Sequence, residues 1–215
     1  MDYISRRELL KRASAASAAA AVPGVLTEAA QAPAAPLRAE PLETLTQPEA
    51  ETLEAVVARL IPTDSNGPGA REARAAHYID RALGGTLAAS REAYKSGLAS
   101  LDAYARQAKG SRFSQLSESD QDELLSALER NAVPAFGAPG AAAFFNLVLN
   151  HTLQGTFGDP FYGGNRNFVG WDLLGYPGVR LAVTPDEQRL DRRPRQLHMS
   201  AYDYSMFSGR KPNGD

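Results

Sequence analysis

The chain contains no cysteine among its 215 residues. Without thiolates it can form no disulfide, no cysteine-ligated zinc or iron–sulfur site and no thioether-attached haem. A cysteine nucleophile and a lipidated cysteine anchor are excluded as well. The length is nevertheless sufficient for a hydrophobic core to stabilise the fold without disulfides.

An excess of charge of one sign is also lacking. Lys and Arg number 23 against 25 Asp and Glu, which gives a formal net charge of -2. This balance excludes the broad basic surface of a nucleic-acid-binding protein and a polybasic membrane anchor. Hydrophobic residues make up 43% and charged residues 22% of the chain, as expected for a globular protein with a packed core.

Several signatures of catalysis and cofactor binding are missing too. The chain has no Gly-x-Gly-x-x-Gly dinucleotide motif, no Gly-x-Ser-x-Gly nucleophile elbow and no His-Glu-x-x-His metal motif. Its three histidines, His77, His151 and His198, are far apart in sequence. The sequence therefore predicts no catalytic residue, no metal ligand and no cofactor-binding residue in this chain.

The N-terminus has the pattern of a twin-arginine export signal. The motif residues are Ser5, Arg6, Arg7, Leu9, Leu10 and Lys11. They match Ser-Arg-Arg-x-Phe-Leu-Lys except that Leu9 replaces Phe. The alanine-rich segment that follows is about 14 residues long and is interrupted by Pro23 and Gly24, whereas a spanning helix needs about 20 residues. A small-residue cleavage site ends at Ala32.

We therefore predict a signal peptide at residues 1–32, a periplasmic location and no membrane span after cleavage. The alternative is a basic N-terminus with a chance arginine pair. Twin-arginine export carries folded proteins, typically because a cofactor was inserted in the cytoplasm. Since this chain shows no cofactor motif, the route points to a partner that travels with it.

Five segments have helical periodicity, and no strand pair with hairpin chemistry is found. The first helix follows a capping box at Thr46 and Glu49 and ends at Pro62. Three more are predicted at about residues 70–83, from Tyr94 to Gly110, and after a second capping box at Ser117. The fifth spans about residues 139–153 and has almost no polar face, so it belongs at the centre of the domain or beneath a partner. We predict an all-α fold, an irregular bundle of about five helices.

Residues 155–178 contain seven glycines and six aromatic residues, one of which is the only tryptophan of the chain. A long helix cannot pass through so many Gly and Pro positions, yet the aromatic side chains must be buried somewhere. The segment is either a compact loop that caps the bundle or a docking surface for a partner. The candidate interface residues are His151, Phe157, Asp159, Pro160, Tyr162, Gly163, Gly164, Asn165, Arg166, Trp171 and Tyr176.

His151, Asp159 and Arg166 also support a different hypothesis, a stand-alone enzyme in which Asp159 tunes His151 as a proton acceptor and Arg166 recognises a carboxylate. The alternative is structural: the His151 ring hydrogen-bonds backbone in the glycine-rich loop, and Arg166 pins that loop or meets a partner. A third hypothesis is a self-associating structural domain. The tail from residue 179 is polar and is predicted to be an extended arm without a core.

Several motifs together resemble the gluconate 2-dehydrogenase subunit 3 family. In the C-terminal half they are His151-Thr152, Gly155, Asp159-Pro160, Tyr162 to Asn165, Gly170-Trp171 and Gly175 to Gly178. In the N-terminal half they are Leu45-Thr46, Leu60 to Pro62, Asp64, Gly69-Ala70, Tyr78 to Asp80, Leu83, Tyr94, Gly97-Leu98 and Leu101-Asp102. The resemblance covers a predicted domain at 45–178, between a linker at 33–44 and an arm at 179–215.

The resemblance implies a non-catalytic small subunit of a membrane-associated, FAD-dependent sugar or sugar-acid dehydrogenase. In that family the large subunit holds FAD and oxidises the substrate, and a cytochrome c subunit passes electrons to quinone. The small subunit carries the twin-arginine signal and helps the large subunit to mature and to cross the membrane through the twin-arginine translocase. No cofactor is then expected in this chain.

Overall fold

Six helices make up the regular structure of residues 41–208, the part of the chain that this computed structural model describes. They are α1 (Gln47–Leu60), α2 (Ala75–Gly84), α3 (Arg91–Lys109), α4 (Glu118–Glu129), α5 (Ala141–Phe157) and α6 (Val169–Leu174). Short 3₁₀ turns connect them, and residues 41–208 contain no β-strand. The prediction of an all-α fold is confirmed.

The helix boundaries follow the predicted capping residues in three of the helices. Glu49 accepts a hydrogen bond from the Thr46 backbone N–H at 2.8 Å, as a capping box at the start of α1 requires. Ser117 accepts from the Asp120 backbone N–H at 3.2 Å at the start of α4. α3 ends at Gly110, whose φ of 80° is the left-handed conformation that glycine adopts without strain.

α2 begins later than the sequence predicts, at Ala75 rather than near residue 70. Arg74 lies in the left-handed region, with φ of 60°, so a helix cannot continue through it. The Ala75 N–H instead donates to the Ala70 carbonyl at 2.9 Å, which closes a turn before the helix starts. Ala70 and Ala73 in this turn have the spacing of apolar residues on a helix, which explains why the sequence predicts an earlier start.

α5 ends later than the sequence predicts, at Phe157 rather than near residue 153. It passes through Gly155 because that position packs against the backbone of α2. A Cβ added at Gly155 would lie 2.9 Å from the Ala75 Cα. Glycine therefore serves close helix packing here and does not end the helix.

α5 occupies the centre of the bundle and contacts α1, α2, α3 and α4. Phe144 and Val148 are fully buried, and the Phe144 ring packs edge-on against Tyr94 with centroids 6.1 Å apart. A Cβ at Gly97 of α3 would overlap this ring, so the absence of a side chain there makes room for it. The predicted central position is confirmed, although Leu153 remains 40% exposed.

Asp80 attaches the segment before α1 to α2. Its carboxylate is buried and accepts three backbone N–H groups, those of Glu43 at 2.7 Å, Thr44 at 3.0 Å and Leu45 at 2.7 Å. These donors precede the helix and have no helical partner, so the carboxylate satisfies groups that burial would otherwise leave unpaired. The end of the predicted linker is thereby fixed to the domain.

A second buried carboxylate, Asp102 of α3, joins α1 to the connection between α3 and α4. It accepts from the Thr52 hydroxyl at 3.2 Å, the Phe113 backbone N–H at 3.1 Å and the Arg112 Nε at 3.0 Å. The Arg112 cation compensates the buried negative charge. One side chain therefore fixes the relative positions of three segments.

No helix within residues 41–208 has the length and apolar character needed to cross a membrane. The predicted signal peptide, including Ser5, Arg6, Arg7, Leu9, Leu10 and Lys11, lies outside the described residues, as does most of the predicted linker.

Replacement of Asp80 should test its role in stability. Asp80→Ala leaves three backbone N–H groups without an acceptor, and we expect a loss of about 3 kcal/mol in the free energy of unfolding. Asp80→Asn should cost less, because the amide oxygen can still accept two of the bonds while its NH₂ faces the third donor. Urea denaturation measures both. The exposed Glu129→Ala should change stability by less than about 0.5 kcal/mol, and an equal loss in all three variants would contradict the assignment.

Candidate partner-binding surface

The glycine- and aromatic-rich segment folds around the fully buried side chain of Asn165. Its backbone N–H donates to the Gly155 carbonyl at 2.6 Å, and its Nδ2 donates to the Gly158 carbonyl at 2.8 Å. Its Oδ1 accepts from the Gly170 N–H at 2.9 Å. Asn165 adopts a left-handed φ of 43°, which asparagine tolerates better than most residues. It joins the end of α5 to the start of α6.

Two glycines of this segment are required by close backbone packing. A Cβ at Gly164 would overlap the Gly155 carbonyl, and a Cβ at Gly170 would overlap the Thr156 carbonyl. Both glycines are buried. These two glycines therefore allow tight packing against α5, which supports the interpretation of residues 155–178 as a compact cap on the bundle.

Trp171 completes this cap. It is only 5% exposed, and its indole Nε1 donates to the Phe157 carbonyl in the last turn of α5 at 2.9 Å. Its ring packs against Phe168, with centroids 5.4 Å apart, and against Tyr176 in an edge-on geometry at 4.9 Å. The indole thus buries apolar area and satisfies a carbonyl that the helix end leaves without an intrahelical partner.

Asp159 connects the cap to the C-terminal segment. It accepts from the Phe161 N–H at 3.0 Å, which caps the 3₁₀ turn Pro160–Tyr162. It also accepts from the Ser200 hydroxyl at 2.6 Å and from the Ala201 N–H at 2.9 Å. One carboxylate therefore organises its own turn and holds a segment about forty residues further along the chain.

Aromatic contacts reinforce this connection at two points. Tyr202 stacks on Phe161 with centroids 3.5 Å apart, and its hydroxyl hydrogen-bonds that of Tyr162 at 2.7 Å. Next to α6, the His198 ring stacks on Phe168 at 5.0 Å, and its Nε2 lies 2.6 Å from Asp172 Oδ1. Residues 197–204 consequently pack against the cap.

The prediction of an extended arm from residue 179 therefore needs correction. The Val179 N–H donates to the Met199 carbonyl at 2.9 Å, and the Leu197 N–H donates to the Pro177 carbonyl at 2.8 Å. The chain leaves the cap at Val179 and returns to it at Leu197. The acceptors at Asp159 that bring it back lie far away in sequence, so the tail's own composition gives no indication of the return.

Exposed apolar side chains are concentrated in the cap and the tail. Ten large hydrophobic residues are exposed in the described part of the chain, and only Leu42 and Leu153 precede the cap. The other eight, here called the exposed apolar set, are Tyr162, Leu174, Tyr176, Leu181, Val183, Leu190, Met206 and Phe207. These side chains give the cap and the tail most of the large exposed apolar residues of the described chain.

His151 does not pair with Asp159. Its Nδ1 lies 3.0 Å from the Tyr94 hydroxyl, and the two rings stack with centroids 5.8 Å apart. Asp159 is engaged by Ser200 and Ala201, as described above. The pair on which the stand-alone enzyme hypothesis depended is not formed, and the expectation that the His151 ring bonds backbone in the glycine-rich loop is also wrong.

Arg166 is half-buried and attaches the cap to the turn before α2 through its backbone N–H, which donates to the Ala73 carbonyl at 3.2 Å. In the described residues, no group of three or more His, Asp or Glu side chains is arranged to hold a metal ion.

The predicted interface residues differ in how they could contact a partner. The buried ones are His151, Gly164, Asn165 and Trp171, and the half-buried ones are Phe157, Asp159, Pro160, Gly163 and Arg166. Tyr162 and Tyr176 are exposed. The interface remains a prediction, and these two tyrosines are the members whose side chains are most available to a partner. Reasoning from the sequence missed the apolar residues of the tail, although Leu181, Val183 and Leu190 stand out in a polar stretch.

The chain matches one family model, whose description is gluconate 2-dehydrogenase subunit 3, over residues 47–178. The match covers more than half of the chain, from the first residue of α1 to the point where the tail leaves the cap. No significant match was found among curated proteins or among solved structures.

Burial of His151 should make stability depend on pH. Desolvation lowers the pKa of His151 and burial raises the pKa of Tyr94, so both groups stay neutral, and a single hydrogen bond joins the Tyr94 hydroxyl to the His151 Nδ1. His151 therefore binds a proton more tightly in the unfolded chain than in the folded one. The stability that neutral His151 allows is fully present above about pH 6.5 and is lost as pH falls through the lowered pKa of the folded state.

Thermal unfolding of the wild type between pH 8 and 5 should show this loss, and His151→Gln should flatten the dependence. Tyr94→Phe should lower stability by about 1 kcal/mol at pH 8 and retain the pH dependence, because His151 stays buried. The same pH profile in wild type and His151→Gln would contradict the assignment.

The close packing of the cap predicts a local effect of Gly170→Ala. The new Cβ overlaps the Thr156 carbonyl, so the cap should separate from α5 and expose Trp171, while the helical content of the bundle changes little. Tryptophan fluorescence should shift to longer wavelength, and limited proteolysis should cut near residues 165–178. Leu174→Ala alters an exposed residue of the same short helix and should leave both measurements unchanged.

Proposed function

Because the chain belongs to the gluconate 2-dehydrogenase subunit 3 family, we propose that it is a non-catalytic accessory subunit of a periplasmic, FAD-dependent sugar or sugar-acid dehydrogenase. It binds the flavoprotein large subunit, stabilises it and supplies its export signal. The family is defined as a subunit of a dehydrogenase, so its members act together with other chains.

The observation that carries the proposal is the location of the exposed apolar set. The bundle has its own closed core, in which Phe144, Tyr94 and Leu101 are fully buried. The exposed apolar side chains instead lie in the cap and tail. A domain whose core is complete in itself does not need these side chains for its own packing, so they are free to contact another protein.

The functions of the buried polar groups also support an accessory role. Asp80, Asp102 and Asn165 hold backbone N–H groups or connect segments, and Asp159 fixes the returning tail. His151 is occupied by Tyr94 inside the core. Each of these side chains has a structural partner that accounts for its burial, so none needs a catalytic function to explain it.

The leader supports the export part of the proposal. Arg6 and Arg7 stand in the pattern of a twin-arginine signal, a route for cargo that is already folded. The proposal assigns FAD to the large subunit and haem c to a cytochrome subunit of the same complex. The flavoprotein folds around its cofactor in the cytoplasm, this subunit binds it, and the translocase carries both chains together.

Substitution of the arginine pair tests the export of the partner. In a strain that co-expresses the large subunit, Arg6→Lys with Arg7→Lys should move dehydrogenase activity from the periplasmic to the cytoplasmic fraction. The activity is measured by reduction of an artificial electron acceptor in each fraction. Arg38→Lys, a conservative change outside the motif, is the matched control and should leave the distribution unchanged.

Normal periplasmic activity in the paired variant would refute the export function. A second result would refute the subunit function as a whole: purified alone, the chain oxidises a sugar or sugar acid without a flavoprotein present.

A further inference from the structure

The tail contains a loop that projects from the protein while both of its ends are fixed. Residues 181–196, here called the projecting loop, are all exposed. Its base is closed by backbone hydrogen bonds between Val179 and Met199 and between Leu197 and Pro177. Arg180 adds a bond from its guanidinium to the Arg195 carbonyl at 2.5 Å. The loop thus has a defined origin on the cap.

The projecting loop is ordered by its own contacts although it buries none of its side chains. Glu187 pairs with Arg180 at 2.6 Å and accepts from the Thr184 N–H at 2.9 Å. This backbone hydrogen bond lowers the pKa of Glu187, so the carboxylate stays ionised. Arg189 and Asp191 form a two-point ion pair at 2.7 and 2.9 Å. A loop with this internal order loses less conformational entropy on binding than a flexible segment.

Three apolar side chains of the projecting loop are exposed to solvent. Leu181 is 54% exposed, Val183 48% and Leu190 fully exposed. Single exposed apolar side chains are common on soluble proteins, but these three lie close together in one loop that has no core of its own. In a complex they can enter pockets of a partner, where buried aliphatic anchors supply binding energy.

The projecting loop and its base are also basic within an acidic chain. Residues 180–196 include five arginines and three acidic residues, whereas the whole chain has a net charge of -2. The acidic residues Asp186, Glu187 and Asp191 are each paired with an arginine. Arg193 and Arg195 have no ion pair among the described residues. The charge available to a partner is therefore positive, which favours an acidic binding surface.

We propose that the projecting loop inserts into a groove of the flavoprotein large subunit that has an apolar floor and acidic walls. Leu190 and Val183 contact the floor, and Arg193 and Arg195 meet carboxylates at the walls. Anionic lipid would attract the same two arginines, so the measurements below include phosphatidylglycerol vesicles. This inference rests on the proposed function and specifies where the two subunits meet.

The experiment uses the full chain and the FAD-loaded large subunit, purified separately and titrated against each other. Val183→Ser with Leu190→Ser should weaken binding at least about tenfold. Thermal unfolding of the variant should be unchanged, because neither side chain is buried. Leu153→Ser, at an exposed leucine of α5, is the matched control and should bind like the wild type.

A second variant tests the charge of the groove. Arg193→Glu with Arg195→Glu should slow association, and the difference from wild type should shrink as salt is raised, because screening weakens contacts between exposed charges. Arg130→Glu, a charge reversal at the end of α4, serves as its control and should change the association rate little.

The outcomes separate this inference from the proposed function. If the wild type does not bind the large subunit, the proposed function fails. If it binds and both loop variants bind equally well, the function stands and the loop inference is overturned. The inference is also overturned if the loop variants lose only self-association in size-exclusion chromatography. It is overturned as well if the loop variants bind the large subunit like the wild type and lose only their binding to phosphatidylglycerol vesicles.

Discussion

Buried side-chain acceptors that bind the backbone N–H groups of non-helical segments are the interaction on which this structure depends. A helical bundle satisfies its own backbone within the helices, but the chain between helices must find partners elsewhere. Asp80 provides them for the entry segment, Asp102 for the connection after α3, and Asn165 for the cap. Each acceptor is fixed by the helix or turn that carries it, so irregular segments acquire single positions without regular structure.

Asp159 is an acceptor of the same kind for the tail. The proposed contact with the partner depends on this interaction, because it positions the projecting loop. The carboxylate holds Ser200 and Ala201, and this brings Met199 and Leu197 next to residues 177–179. The base of the projecting loop is closed where the chain returns in this way, and the contacts of Tyr202 and His198 with the cap reinforce it. A residue that first suggested catalysis therefore has a structural role, which is to hold the returning tail against the cap.

The predictable parts of the fold are those with local signals. α1, α3 and α4 have apolar periodicity and capping residues within a few positions of each other, so the sequence alone indicates their limits. The start of α2 was missed because Arg74 adopts a left-handed conformation, which arginine rarely does and which the sequence therefore does not predict. The end of α5 was missed because Gly155 makes close contact with Ala75, eighty positions earlier. In the candidate site, the sequence singled out Asp159, but the groups it binds, Ser200 and Ala201, lie more than forty residues further along the chain. No local sequence pattern connects them to Asp159. Tertiary contacts decided each of these cases.

Two interpretations of the glycine- and aromatic-rich segment, a structural cap and a docking surface, apply to different side chains. Trp171 and Asn165 are buried and build the cap, whereas Tyr162 and Tyr176 are exposed, as are all residues of the projecting loop. This separation suits the proposed export route. The bundle core and the loop base are complete without a partner, so the subunit can fold first and then bind a flavoprotein that has also folded. Two folded surfaces then meet, and little conformational entropy remains to be lost when they associate.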